Sequence, residues 1–206
     1  MENKAPNAVQ VVGLTGPTGA GKSTWAKAFA LYGCIVIDCD ALSRRAVEEP
    51  DVLAALQEAF GEDIVKDGAL NRRLLAQRAF AGKEQAARLN AITHPAIRSM
   101  LYKALSDAKA QHPPMIFVDA PLLFEGGIDG LCDCTAAVLA PENVRLERIC
   151  LRDGITEAEA RARMANQHGD AYFRARLDVV FDGALPPGEI PEKALSWLRA
   201  QAGGVR

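Results

Sequence analysis

Residues 9–24 read VQVVGLTGPTGAGKST, and this stretch decides the fold. Residues 9–14 form a short β-branched apolar run that stops at a glycine-rich segment, the pattern of a buried strand. Gly16-Pro17-Thr18-Gly19-Ala20-Gly21-Lys22-Ser23, with Thr24 next, fits G-x-x-x-x-G-K-[ST]. The glycines let the backbone wrap closely round phosphate groups, and successive N–H groups then point inward as an anion nest. A helical pattern begins near Lys22, which turns the positive end of a helix toward the same anion. Lys22 then reaches the β- and γ-phosphates of ATP, and the Ser23 hydroxyl ligates Mg²⁺. A chance glycine-rich turn would need neither a strand before it nor a helix after it. Both are present.

Outward from the loop, helical spacing runs over residues 22–31 and stops at Gly33, a residue suited to a helix C-terminus. Residues 34–38 give a second apolar run. Strand, loop, helix and strand make a βαβ unit, so the sheet is expected to be parallel. From residue 41 to about 111 no convincing strand appears. Residues 51–60, 71–80 and 95–111 show apolar residues at helical spacing, punctuated by Pro50, Gly61, Gly68 and Gly82. This predicts a helical insertion, large enough to be a substrate-binding subdomain. The sheet resumes at residues 115–119, behind Pro113-Pro114, and again at 135–140. Pro141 opens a charged helix over 142–152, and Thr156 with Glu159 forms a capping box for another over 156–167. Residues 178–181 read as a last strand, 191–201 as a closing helix and 202–206 as a frayed tail.

Composition agrees with one ordinary globular protein: 206 residues, 49% hydrophobic, 24% charged. A net charge of -2 argues against a molecule-wide nucleic-acid surface, while leaving room for a local basic cleft. No apolar run reaches the roughly 18 residues of a membrane span, and residues 1–8 lack the apolar stretch of a signal peptide. The expectation is a cytoplasmic protein with no nucleic-acid or membrane partner, a monomer or weak homo-oligomer. The five cysteines are scattered and read as reduced thiols. Cys132 and Cys134 lack a second ligand pair at zinc spacing.

Other residues carry candidate chemistry. Asp119 ends the strand Met115-Ile116-Phe117-Val118, where an aspartate in a P-loop sheet orders Mg²⁺ or its waters. Asp38 and Asp40 end the second strand, on the edge where open α/β sheets bind ligands. Spacing cannot choose between them, since positions two apart share a strand face. Either would accept a proton from an acceptor hydroxyl, or cap the helix that follows. Arg145, Arg148 and Arg152 share one helix face, which suits a lid that balances phosphoryl charge, although on spacing alone a solvated helix paired with Glu142 and Glu147 is the better reading. His94, before Pro95, is placed to cap or gate the insertion. His112 and His168 read as surface residues. No Asn-Lys-x-Asp box is present, which disfavours a GTPase.

Together these residues resemble the dephospho-CoA kinase family. The likeness rests on Gly13-Leu14-Thr15-Gly16 leading into the loop, Val36-Ile37-Asp38-Cys39-Asp40 with Arg44, and Thr93-His94-Pro95. It continues through Asp119-Ala120-Pro121-Leu122-Leu123-Phe124-Glu125, then Arg148 to Arg152-Asp153 with Gln167 downstream. It spans residues 11–183. The P-loop is common to many families, whereas the 119–125 segment is much more particular. The resemblance implies ATP-dependent phosphorylation of the ribose 3′-hydroxyl of dephospho-CoA, the last step of coenzyme A synthesis. It implies Asp40, Lys22, Arg148 and Arg152 in catalysis, and Asp40, Arg44, His94, Leu122, Leu123, Phe124 and Glu125 at the acceptor. It further implies a nucleotide-binding core of residues 9–40, 113–140 and 176–206, a CoA-side helical domain of 41–112 and a lid of 141–175. Two departures stand out: Asn71 and Asp182, where the family often has Asp and Asn.

The expected fold is therefore α/β: a three-layer P-loop kinase with a parallel sheet of about five strands, a helical substrate-binding insertion and a helical lid. The nearest rival is a nucleoside monophosphate kinase, against which the 119–125 segment speaks. A nucleotide-binding regulator without catalysis is the rival of another class, and it would need neither Asp40 nor the arginine row.

Overall fold

β1 (Val11–Thr15) is buried along its whole length, as a strand flanked on both edges and both faces must be. The computed structural model describes residues 9–66 and 68–203. Along the chain β1 is followed by α1 (Lys22–Leu31), β2 (Ile35–Asp38), α2 (Cys39–Ala46), α3 (Pro50–Phe60), β3 (Val65–Lys66), β4 (Ala69–Leu70) and α4 (Arg72–Ala79). Then come α5 (Lys83–Lys109), β5 (Ile116–Asp119), β6 (Cys134–Leu139), α6 (Glu142–Asp153), α7 (Glu157–Ala165), α8 (Asp170–Arg174), β7 (Val179–Asp182) and α9 (Ile190–Gly203). The main sheet has five strands in the order β2-β5-β1-β6-β7. Parallel pairing aligns Val12 with Phe117, Leu14 with Ala136 and Val138 with Phe181. The five-stranded expectation holds. Because β1 has β5 on one side and β6 on the other, the loop after β1 opens at the switch point of the sheet, where such folds bind ligands.

The chain divides into two compact units, one of residues up to Ile37 and from Ala108 onward, the other of Asp38–Asp107. In the first, alternate strand residues serve opposite faces. Val12, Leu14, Phe117, Ala136, Val138 and Phe181 pack with α1 and α9. Phe29 of α1 stacks on Phe117 at 4.0 Å between ring centroids, and Trp25 on Phe181 at 4.5 Å. On the other face Ala137 and Leu139 pack against Phe173 of α8.

The second unit has its own core of Leu56, Phe60, Ile64, Leu75 and Ala79. Asn71 accepts the Leu74 N–H at 3.0 Å and caps α4, a task Asp performs equally well; that departure preserves the local structure. Arg72 ties the start of α4 to α2 through the Arg44 carbonyl at 2.9 Å and Glu48 at 2.6 Å.

Three sequence expectations need correction. The insertion does contain strands, the antiparallel pair β3 and β4, too short to show alternation. α5 starts at Lys83, not at Pro95, and runs through the proline. Leu89 and Ile92, both packed on the second core, continue the helical spacing upstream. His94 accordingly lies mid-helix and caps nothing. The closing helix reaches Gly203; residues 204–206 of the supposed tail, and residues 1–8 on which the leader reading rests, lie outside the described residues. None of the five cysteines forms a disulfide. Among the described residues no helix is long and apolar enough to cross a membrane.

Candidate active site

The glycine-rich loop joins the buried carboxyl end of β1 to α1, and Gly21 sits in the left-handed region as α1's N-cap. Its neighbour Lys22 forms an ion pair with Asp119. Backbone pairing creates this contact. Leu14 stands in register with Asp119, the Ala120 N–H donates to the Leu14 carbonyl at 3.0 Å, and the buried Thr15 hydroxyl donates to the Pro121 carbonyl at 3.2 Å. Both charges are largely sheltered, with 19% and 14% of the side chains exposed. Asp119 thus holds the ammonium at the loop.

α6 lies directly on the loop. Arg145 donates from Nε to the Thr18 carbonyl at 3.0 Å. Arg148 donates to the Gly183 carbonyl at 2.7 Å and to the Gly19 carbonyl at 3.4 Å. Gln167 accepts the Thr18 N–H at 3.0 Å. Gly19 has φ +77°, and a Cβ there would stand 2.8 Å from the Arg145 carbonyl oxygen, so only glycine permits the helix to come this close. Gly183, just after β7, fits under the loop for a similar reason: a Cβ would collide with the Ala20 carbonyl. Asp182 beside it accepts the Ala184 N–H at 2.7 Å and offers its own carbonyl to Trp25 at 3.1 Å.

The arginine row is thus divided. Arg145 and Arg148 bind loop carbonyls, whereas Arg152 pairs with Asp153 at 2.7 Å and Asp153 also binds Arg163. Sequence reasoning placed Arg145 only in the arginine row, and left Gly183 outside the site. A glycine directly after a strand end was a usable signal for Gly183; the arginine spacing marked Arg145, but nothing local marks its partner, the Thr18 carbonyl.

In the second unit the strand-end reading holds for Asp38 and fails for Asp40. β2 ends at Asp38, whose side chain accepts the Ala41 N–H at 2.9 Å and caps α2. Asp40 stands in the first turn of that helix, exposed and without a hydrogen bond among the described residues. Arg44 approaches Asp38 at 3.8 Å, and His94 is exposed on α5.

The 122–125 segment is likewise divided. Leu122 is 65% exposed, while Leu123 is wholly buried beneath Gly13, a core residue rather than a contact for any ligand. Phe124 packs beside Tyr172. Glu125 accepts from Tyr172 at 3.2 Å and lies 3.1 Å from His168. His168 is a surface residue, as expected, and its ring also stacks on Tyr172 at 3.7 Å.

A magnesium ion fits this donor set. Among the described residues no three His, Cys, Asp or Glu side chains gather to cage a metal, and magnesium does not need a cage, since it takes one or two protein ligands and completes its shell with phosphate oxygens and water. The Ser23 hydroxyl is exposed and makes no bond among the described residues, and the Asp119 carboxylate lies close to the loop lysine.

A parallel sheet with a phosphate loop at its switch point, and a loop lysine held by a strand-end aspartate, define a P-loop nucleotide-binding protein. The Dephospho-CoA kinase family model matches residues 10–184. The dephospho-CoA kinase of Anaeromyxobacter dehalogenans is 41% identical over 198 residues, 95% of this chain and 94% of that one. That of Deinococcus radiodurans is 41% identical over 182 residues, 88% and 87% of the two chains. The crystal structure of a Thermus thermophilus protein superimposes with a TM-score of 0.82 at 35% identity, covering 94% of this chain and 98% of that one. The chain belongs to the dephospho-CoA kinase family.

Proposed function

We infer that the protein transfers the γ-phosphoryl group of ATP to the ribose 3′-hydroxyl of dephospho-CoA, giving coenzyme A and ADP. The observation that carries the choice of acceptor is the family match, which runs unbroken over residues 10–184. The loop geometry supports the choice of donor. Phosphoryl transfer passes through a loose transition state and depends chiefly on positioning and charge stabilisation.

The amides of residues 16–24 cradle the phosphates, and Lys22 exchanges Asp119 for the β- and γ-phosphates when ATP binds. Ser23 and Asp119 would hold Mg²⁺, which when bound neutralises developing charge on the phosphate oxygens. Arg148, already at the loop, stabilises the transferring group, and Arg152 joins it on leaving Asp153. Asp40 orients the acceptor hydroxyl and takes its proton. Its freedom from any hydrogen bond among the described residues supports this over Asp38, which is occupied as a cap. Arg44, His94 and the exposed Leu122 contact the acceptor. Glu125 and Phe124 act one step away, by holding Tyr172 and His168. The unit formed by Asp38–Asp107 selects the acceptor, and residues 141–175 act as the lid.

An ADP-release assay over dephospho-CoA, AMP, pantetheine and buffer tests the reading, with the product checked by mass. Release is expected with dephospho-CoA alone, and equal release with AMP would overturn it. Lys22→Ala should lower turnover by about 10²-fold or more, the worth of one charge-stabilising contact. It should leave the melting temperature nearly unchanged.

A further inference from the structure

Arg145 is 6% exposed, a depth at which arginine rarely lies without a carboxylate partner. No such partner is within ion-pair distance among the described residues. Burial pulls its pKa below the ordinary arginine value, opposed by the more distant charges of Asp170 and Glu142. Among the described residues its side chain makes one hydrogen bond, from Nε to the Thr18 carbonyl at 3.0 Å.

That bond has a geometric consequence. A trans peptide is planar, with its C=O and N–H pointing in opposite directions. Holding the Thr18 carbonyl against α6 therefore aims the Gly19 N–H away from α6. The Gly19 N–H has no partner among the described residues. An unpaired backbone donor within a phosphate loop is a waiting anion contact.

We propose that Arg145 is a positioning residue for the phosphate loop, fixing the Thr18–Gly19 peptide so that the Gly19 N–H is preset for a phosphate oxygen of the nucleotide. The proposal rests on reading the loop as the ATP site, not on the identity of the acceptor. The bond, rather than the charge, does the positioning.

The test is calorimetric binding of ATP, ADP and AMP, without acceptor, to Arg145→Met, Arg145→Gln and Arg145→Lys, with melting temperatures alongside. Arg145→Met should weaken ATP and ADP by about tenfold, as expected for one hydrogen bond from a charged donor, and leave AMP unchanged. Arg145→Gln carries an amide that donates to the same carbonyl and should recover most of the loss. Unchanged ATP affinity in a folded Arg145→Met variant would overturn the proposal. Equal weakening of all three nucleotides would reduce Arg145 to a packing role. Recovery by Lys and not by Gln would assign the effect to charge and equally overturn it. If Arg145→Met does not fold, the other two variants decide: positioning requires Gln to bind ATP more tightly than Lys. Because no acceptor is present, failure here is distinct from failure of the dephospho-CoA reading, which the ADP-release assay addresses alone.

Discussion

Asp38 and Asp40 show how two like residues, two positions apart, come to hold different roles. Asp38 satisfies one of the orphan donors at the start of α2, as N-terminal helix amides require. Asp40, two residues further on in the first turn of the helix, keeps its carboxylate unengaged among the described residues. Asp38→Ala should therefore cost about 1 kcal/mol of stability through the lost cap. Asp40→Asn should leave the melt unchanged and lower turnover by roughly 10²-fold, the lower end for a general base because the transition state is loose. Steady-state turnover and thermal melts of both variants check the assignment. A well-folded Asp38→Ala that is inactive beside an active Asp40→Asn would reverse the roles.

At the scale of elements, α6 and α7 are joined through Asp153, which Arg152 and Arg163 both bind, and α7 opens with a Thr156–Glu159 capping box. The hydrogen bond from Arg152 is the main reason the Asp153 carboxyl is held down at about 2, below the 3.8 of an unperturbed aspartate. A depressed carboxylate pKa gives stability that is full above 3.8 and lost as pH falls toward 2. Hydrogen exchange should accordingly quicken in residues 142–165 across that window, and Asp153→Asn should remove the pH dependence there while leaving β1 unaffected. An unaltered pH profile in Asp153→Asn would show that the joint lies elsewhere.

For the whole molecule, the division into two units separates the phosphate loop from the helical insertion, each with a core of its own. Two cores permit two binding tasks. Dephospho-CoA added without ATP should slow amide exchange within residues 41–111. Protection confined to residues 9–24 and 115–140 would move acceptor selection to the loop-bearing unit.

What the sequence determined by itself was what local periodicity and close spacing encode. β1, its glycine loop and α1 were legible because G-x-x-x-x-G-K-S has meaning only between a strand and a helix. The five sheet strands were legible as short apolar runs, and the Thr156–Glu159 box as a cap. The β3–β4 pair was not legible, since two-residue strands carry no period, and neither was α5 upstream of Pro95, since a proline reads as a helix start. Only the tertiary structure decided that Arg145 and Arg148 bind loop carbonyls while Arg152 turns to Asp153, that Leu123 is core while Leu122 is exposed, and that His168 stacks on Tyr172. The contacts of Arg145, Arg148 and Leu123 depend on atoms 35 or more residues away in the chain, whereas Arg152 meets its immediate neighbour and His168 a ring on the next short helix. A pattern of residue types along one element holds no record of the atoms opposite it.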